Sequence, residues 1–186
     1  MKRMFDICLV ILIFFILIIP ILVVSILVKC TSKGPIFYWS DRVGKNNEIY
    51  KMPKFRSMLI DSPVVATHLL DSPDSCLSPI GSFLRQSSLD EFPQLFSVLK
   101  GDMSFVEPRP ALFNQDDLIA LRKEMGVDGL LPGITGWAQV NGRDELSISD
   151  KVALDVEYLN RQSFWFDMKI LWMTFVKVIK SDGVSH

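Results

Sequence analysis

The segment LRQSSLDEFPQL, residues 84–95, holds the side chains best suited to chemistry in this 186-residue chain. Asp90 and Glu91 are adjacent carboxylates, and Arg85 precedes them by about one helical turn. Where a helix begins, its positive N-terminal end stabilises negative charge and lowers a carboxylate pKa. An ionised carboxylate in such a place can bind a divalent cation or attack a phosphorus centre. Because adjacent residues point about 100° apart on a helix, we expect the two carboxylates to have different roles.

A purely structural interpretation of the same segment stays open. Ser88 and Glu91 have the spacing of a capping box, in which a hydroxyl and a carboxylate each accept a hydrogen bond from an N–H at the helix start. Pro93 then falls near the end of the first turn, where a missing N–H costs little. The segment alone therefore predicts either a helix cap or a catalytic pair.

Two further loops carry arginine in a restrained or compact backbone. In MSFVEPRP, residues 103–110, Arg109 lies between two prolines whose φ is fixed. A rigid guanidinium suits bidentate recognition of phosphate, although an isolated Pro-Arg-Pro is more often a surface turn. In PGITGWAQVNGR, residues 132–143, three glycines allow close backbone approach to a ligand, and Asn141 and Arg143 add an amide and a cation.

The cations of these segments, with two more in KFRSM at residues 54–58, outnumber the acids beside them. Several cations next to an Asp-Glu pair predict a site for a phosphorylated substrate. The residues expected to bind that substrate are Lys54, Arg56, Arg85, Arg109, Asn141 and Arg143.

The composition narrows the possible chemistry. Only two histidines are present, which disfavours a His-based metal site or a Ser-His-Asp triad. The three cysteines are far apart and fit neither a disulfide framework nor a metal site. With a net charge of −1, no general electrostatic attraction to nucleic acid is expected. Any catalysis is therefore expected to depend on carboxylates and cations.

An uncharged run at residues 7–28 predicts a membrane helix, because at about 1.5 Å per residue it can just cross a hydrocarbon core of ~30 Å. The run is longer than the apolar part of a signal peptide and lacks its cleavage site. Basic residues flank it on both sides and favour the cytoplasmic face. Pro20 is expected to kink the helix. A re-entrant helix satisfies both features, and a single-pass anchor with a proline kink is the alternative.

The elements that would position these residues follow from patterns and turn signals. Alternating aromatic stretches on either side of residues 44–47 predict a β-hairpin that leads to Lys54. Prolines and serines predict a long irregular loop at residues 61–79. A helical pattern in two pieces follows at residues 80–100, and Gly101 is its stop signal.

Three more helices are predicted in the second half of the chain. Asn114 is expected to cap the first, and Ser147 or Ser149 the second. The last, at about residues 164–180, is apolar nearly all round, and its aromatic residues and lysines are typical of a helix in the membrane interface. A buried core helix is the alternative for this segment.

Together these elements predict a helix-dominated α+β fold with a small β-hairpin and interfacial amphipathic helices, on a Pro-kinked N-terminal membrane helix that is either re-entrant or single-pass. Residues 1–30 would form this membrane helix. Residues 31–186 would form one cytosolic catalytic domain, since about that length suffices for a single core.

Three blocks of the chain resemble the bacterial sugar transferase family of monotopic phosphoglycosyl transferases. They are KFRSM at 54–58, LRQSSLDEFPQLFSVLKGDMSFVEPRP at 84–110 and PGITGWAQVNGR at 132–143. The resemblance extends from the N-terminal anchor to the end, and is to the small form without the extra transmembrane helices of larger members. It implies a re-entrant helix with both ends cytosolic, on the cytoplasmic face of the bacterial inner membrane.

The resemblance also implies a reaction. Family enzymes move a phosphosugar from a UDP-sugar to undecaprenyl phosphate and release UMP, by a two-step covalent route that needs Mg²⁺. Asp90 matches the nucleophilic aspartate and would also contact the metal, and Glu91 matches its partner in the dyad. The arginines at positions 85, 109 and 143 fall on basic positions of the family motifs and would hold phosphate groups.

Three positions depart from the family pattern. Glu107 replaces a common glycine ahead of the Pro-Arg-Pro segment and brings a carboxylate near the expected phosphate pocket. Ile19 replaces the serine often found before Pro20. Pro53 replaces an aromatic residue before Lys54, which bears on the pose of that side chain.

The predicted function is therefore phosphoglycosyl transfer at the membrane, with a product that would begin a surface glycan such as the O-antigen of lipopolysaccharide, a capsule or a glycoprotein glycan. The alternative, from another class, is a catalytically silent single-pass anchored protein whose helix caps and loops only organise a partner. Release of UMP from a UDP-sugar distinguishes the two.

Overall fold

The computed structural model describes residues 2–60, 62, 76–142 and 145–180. Within them the chain is rich in helix and has two small sheets, which confirms the predicted helix-dominated α+β class. The helices are α1 (Lys2–Thr31), α2 (Gly81–Gln86), α3 (Gln94–Lys100), α4 (Asp116–Glu124), α5 (Trp137–Val140), α6 (Ile148–Arg161) and α7 (Phe164–Lys180). The strands are β1 (Phe37–Val43) and β2 (Ile49–Phe55), which pair antiparallel, and β3 (Ser104–Val106) and β4 (Gly133–Thr135), which pair parallel. Most of the predicted 61–79 loop lies outside the described residues.

The predicted hairpin is formed by β1 and β2, which a short 3₁₀ turn at Lys45–Asn47 connects. Asn46 and Asn47 have φ of 54° and 61°, a backbone region that asparagine tolerates better than most residues. The register sets Tyr38 opposite Lys54. Since cross-strand partners share a face, the hairpin presents Lys54 on the same side as Tyr38.

Helix α1 continues through Pro20 as one helix of 30 residues. It is long and apolar enough to cross a membrane, and most of its large apolar side chains are exposed, Phe15 at 78% and Ile19 at 70% among them. A narrow side that includes Val10 and Val24 is buried against the rest of the protein. The predicted kink at Pro20 stays a prediction.

Charged groups bind the first turn of α1 to the following domain. The Lys2 Nζ atom lies 2.8 Å from Asp167 Oδ2 and 3.2 Å from Glu107 Oε1. Asp6 is buried and accepts a hydrogen bond of 2.8 Å from the Ser104 hydroxyl. Because isolated buried charges are costly, these pairings stabilise the start of the helix against the domain.

The segment just after α1 is bound to the same domain by Arg56, which directly follows β2. Arg56 is buried, and its guanidinium donates to the Ser32 hydroxyl at 2.6 Å and to the Lys33 carbonyl. Both ends of the apolar helix therefore contact one and the same domain.

Helix α7 packs one face on the core and exposes the other. Phe166 and Ile170 are buried with Tyr158 of α6. Trp165 and Trp172 on the other face are 79% and 65% exposed. The buried-core alternative therefore holds for only one side of this helix, and a broad aromatic surface is left on the other.

The structure confirms two of the residues predicted to cap or end a helix, Ser147 and Gly101, and contradicts a third, Asn114. The Ser147 hydroxyl caps α6 and accepts a hydrogen bond of 3.1 Å from a first-turn N–H, and Gly101 ends α3 with φ of 104°. The predicted Asn114 cap is wrong, because α4 begins after Gln115. The Gln115 side-chain oxygen instead accepts a hydrogen bond of 2.9 Å from the N–H of Leu112 and so orders the approach to the helix.

Substitution Glu107→Gln is predicted to stabilise the protein above neutral pH. Burial raises the pKa of Glu107 to about 7, and Lys2 lowers it only in part. The folded state therefore holds this proton more tightly than the unfolded state, so stability is highest below the unfolded pKa of 4.5 and falls as the pH rises to about 7. Without the buried charge, stability near neutral pH should rise by roughly 1–3 kcal/mol.

Thermal unfolding of the full chain in lipid nanodiscs, from mildly acidic to mildly alkaline pH, measures this effect. Glu48→Gln, an exposed carboxylate on the hairpin turn, is the matched control and should keep the pH dependence of the unsubstituted protein. An unfolding midpoint of Glu107→Gln that varies with pH as the parent does would contradict the prediction.

Candidate active site

Asp90 and Glu91 lie on a 3₁₀ turn, Leu89–Glu91, and not at the start of a long helix. Ser88 ahead of it has a left-handed backbone with φ of 55°, and its side chain makes no capping hydrogen bond. The predicted capping box of Ser88 and Glu91 is therefore wrong. Helix α3 begins only after Pro93, so the Glu91 carboxylate is left for other partners.

Two cations from distant parts of the chain hold Glu91. Lys54 donates from Nζ to Oε1 at 2.9 Å, and Arg109 contacts both carboxylate oxygens, with Nη1 3.1 Å from Oε2. Burial by itself raises the pKa of Glu91, but Arg109 and Lys54 outweigh burial and hold that pKa well below its usual value. Glu91 is therefore a fixed anion whose two oxygens are both engaged.

Asp90 has the opposite environment. It is 7% exposed, and none of the described residues donates a hydrogen bond to its carboxylate. The pKa of Asp90 is raised to about 6, because burial and the neighbouring Glu91 raise it more than Lys54, Arg109 and Arg85 lower it. Among the described residues, a carboxylate without a hydrogen-bond donor therefore lies beside one that is fully engaged.

Arg85 of α2 is a further cation of this cluster. It lowers the pKa of Asp90, and its Nε donates to the Ser57 hydroxyl at 3.2 Å. Gly81 at the start of α2 makes this approach possible, because a Cβ there would lie 2.0 Å from the carbonyl oxygen of Ser57. The close packing of α2 on the segment after β2 thus brings Arg85 near Asp90.

The Pro-Arg-Pro segment is held from two sides. Gly133 of β4 donates its N–H to the Pro108 carbonyl at 2.9 Å, and Arg122 of α4 donates to the Arg109 carbonyl at 2.9 Å. Arg122 is itself buried and binds Asp155 of α6 at 2.9 and 2.6 Å. The backbone that carries the Arg109 fork is therefore fixed before a ligand binds.

The structure does not bring every predicted residue to this cluster. Arg56 binds the end of α1, and Asn141 donates to the Trp137 carbonyl of its own turn at 2.7 Å. Arg143 lies outside the described residues. Glu107, expected near the phosphate pocket, instead pairs with Lys2 in the first turn of α1 and accepts a hydrogen bond from Gln162.

Sequence reasoning misses three residues around the cluster: Arg42, Arg122 and Asp155. Strand register could have found Arg42, because it shares a face with Tyr38 and so with Lys54. Arg122 and Asp155 give no such signal, since their pairing depends on how α4 packs against α6.

A metal site built from protein ligands alone is not evident. Among the described residues, no group of three or more His, Cys, Asp or Glu side chains could hold a metal ion. Mg²⁺ is commonly bound by one or two carboxylates together with substrate phosphates and water. Asp90 suits that mode of binding, whereas both oxygens of Glu91 already bind cations.

Comparison with known proteins shows the family of this chain. The chain matches the bacterial sugar transferases over residues 1–181 and belongs to that family. The uncharacterized sugar transferase EpsL of Bacillus subtilis (strain 168) is 37% identical over 186 residues, which cover 100% of this chain and 91% of EpsL.

Two relatives have names that state an activity. The UDP-glucose:undecaprenyl-phosphate glucose-1-phosphate transferase of Escherichia coli (strain K12) is 39% identical, over 95% of this chain and 40% of that protein. The undecaprenyl-phosphate galactose phosphotransferase of Salmonella typhimurium (strain LT2) is 36% identical, over 98% of this chain and 41% of that protein. The chain thus spans about two fifths of the length of these two transferases.

Proposed function

We propose that this protein is a phosphoglycosyl transferase that moves a sugar phosphate from a UDP-sugar to undecaprenyl phosphate and releases UMP. The observation that carries the proposal is the contrast between two adjacent carboxylates: Lys54 and Arg109 engage Glu91, while Asp90 has no hydrogen-bond donor among the described residues. The name of the Escherichia coli relative, which states UDP-glucose and undecaprenyl phosphate, supports the classes of donor and acceptor.

Displacement at phosphorus requires positioning and charge neutralisation more than proton transfer. Glu91 supplies the positioning, because it fixes Lys54 and Arg109 beside Asp90. Cations that are already in place can bind a diphosphate without first reorganising. Glu91 is therefore a positioning residue, and its low pKa keeps it ionised for that role.

Asp90 is the nucleophile of the first step. One carboxylate oxygen forms a bond to the β-phosphorus of the UDP-sugar, the bond from that phosphorus to the bridging oxygen breaks, and the electron pair leaves with UMP. In the second step a phosphate oxygen of undecaprenyl phosphate attacks the same phosphorus and releases Asp90. The product is a polyprenyl diphosphate sugar, which serves as the first lipid-linked intermediate of a surface glycan.

Asp90 is also the residue that we expect to contact Mg²⁺. When bound, the ion neutralises charge on the diphosphate of the donor. Because its carboxylate has two oxygens, Asp90 would be able to hold the ion and still act as the nucleophile.

The acceptor is a membrane lipid, and α1 gives the protein access to it. Lys2 at one end of α1 and Ser32 just after the other end both bind the same domain. Contacts of one domain with both ends support a helix that enters the membrane and returns, with a bend at Pro20. The exposed aromatic face of α7 suits the interface, and the basic flanks of α1 favour the cytoplasmic side.

Substitution Asp90→Asn is predicted to abolish release of UMP from a UDP-sugar in the presence of undecaprenyl phosphate and Mg²⁺. The amide fills the same space but is not a competent nucleophile, so the unfolding midpoint should stay near that of the parent. In the parent, kcat/KM should fall as the pH drops through about 6, because a protonated Asp90 cannot attack.

A panel of UDP-sugars with detection of UMP measures this loss and identifies the donor. Asp41→Asn, a half-exposed carboxylate on the hairpin that pairs with Lys51, is the control and should retain turnover. Full turnover by Asp90→Asn would remove this residue from the mechanism, and no turnover by the parent would favour the silent anchored protein.

The re-entrant helix predicts that both chain termini are shielded from the outside of the cell. A cysteine tag ahead of Met1 and a second tag after His186, in a chain whose native cysteines are replaced by serine, can be tested with a membrane-impermeant thiol reagent. Neither tag should react in intact cells, and both should react in inside-out vesicles. Reaction of the Met1 tag in intact cells would establish the single-pass alternative.

A further inference from the structure

Arg42 of β1 is a fourth cation at the cluster, and the reaction described above leaves it without a role. It lies on the hairpin face that carries Lys54. Its Nε donates to the Ser40 hydroxyl at 3.1 Å, and its Nη1 donates to the Pro110 carbonyl at 3.3 Å. Both acceptors are uncharged, and no carboxylate in the described part of the chain forms an ion pair with Arg42.

A like charge lies close to Arg42. Burial and, after it, the neighbouring Arg109 lower the pKa of Arg42 to about 10. Glu91 offsets part of this effect, but its two oxygens already bind Lys54 and Arg109. Arg42 has no carboxylate partner among the described residues and lies close to a second guanidinium, so an anion bound beside Arg42 would relieve the repulsion between the two groups.

The arrangement of the charged residues indicates which anion would bind beside Arg42. Glu91, next to Asp90 in the chain, binds Arg109, and the carbonyl of Pro110, next to Arg109 in the chain, accepts a hydrogen bond from Arg42. The contacts therefore run from the Asp90–Glu91 pair through Arg109 to Arg42. In an in-line displacement at phosphorus, the leaving group departs on the side opposite the attacking atom. With Asp90 as the nucleophile, the leaving phosphate faces Arg42.

We propose that Arg42, together with Arg109, binds the nucleoside monophosphate that leaves the donor, an inference that rests on the proposed function. When the bond between the β-phosphorus and the bridging oxygen breaks, the electron pair stays on that oxygen and the departing monophosphate gains negative charge. The Arg42 guanidinium meets this charge as it forms. Such an interaction is stronger in the transition state than in the bound donor, so it raises the rate of the first step.

Product inhibition by UMP tests this role in the full chain in nanodiscs. Loss of a charge-assisted contact in Arg42→Gln should raise the inhibition constant of UMP roughly tenfold or more. Arg42→Lys, which keeps the charge but not the fork, should lie between Arg42→Gln and the parent. Lys51→Gln removes an exposed cation from the opposite face of the same hairpin and should leave inhibition by UMP unchanged.

The same experiment separates binding of the leaving group from support of the Pro-Arg-Pro segment. If Arg42 only braced Pro110, its variants would lower the unfolding midpoint and kcat but keep the parent's inhibition constant for UMP, and the inference would be wrong. Should Arg42→Gln fail to fold, Arg42→Lys decides the question on the same constant. If the parent protein releases UMP and UMP inhibits the variants as strongly as the parent, this inference alone is wrong. If the parent protein releases no UMP, the proposed function is wrong as well.

Discussion

The contact of Glu91 with Lys54 and Arg109 is the interaction on which the candidate site depends. It joins the 3₁₀ turn to the end of β2 and to the Pro-Arg-Pro segment. Lys54 lies 37 residues from Glu91 along the chain, and Arg109 lies 18 residues from it. Because the pairs are largely buried, removal of one partner would leave an uncompensated charge. The contact fixes two cations and occupies both oxygens of Glu91, so that of the two adjacent carboxylates only Asp90 remains available for reaction.

Ion pairs and hydrogen bonds near the two ends of α1 fix the position of this site relative to the helix. Lys2 is bound by Asp167 and Glu107 at one end of α1, and Arg56 binds the segment that follows its other end. Lys2, one of the basic residues expected to flank the membrane, thus also binds the helix to the domain. With α1 in the membrane as proposed, contacts at both ends of the helix would hold the site close to the lipid surface, where a lipid-linked phosphate would be found.

Features that depend on neighbours in sequence could be predicted, and features that depend on distant partners could not. The hairpin, the Ser147 cap and the Gly101 stop follow from local turn and cap chemistry, and the structure has all three. The capping box at Ser88 fails because cations from other elements take the Glu91 carboxylate. Substrate binding by Arg56 was inferred from its position near Lys54, but Arg56 follows the end of β2 and its guanidinium binds Ser32 and Lys33, which follow α1 in the chain.

The central claim is that Asp90, and not Glu91, becomes covalently bonded to the sugar phosphate of the donor. The most direct measurement is the intact mass of the protein after incubation with its UDP-sugar and Mg²⁺ in the absence of undecaprenyl phosphate, followed by peptide mapping. The account predicts a gain equal to one sugar phosphate, located on Asp90, that disappears when the acceptor lipid is added. An enzyme that turns over with acceptor but never gains this mass without it, or gains it on Glu91, would contradict the account.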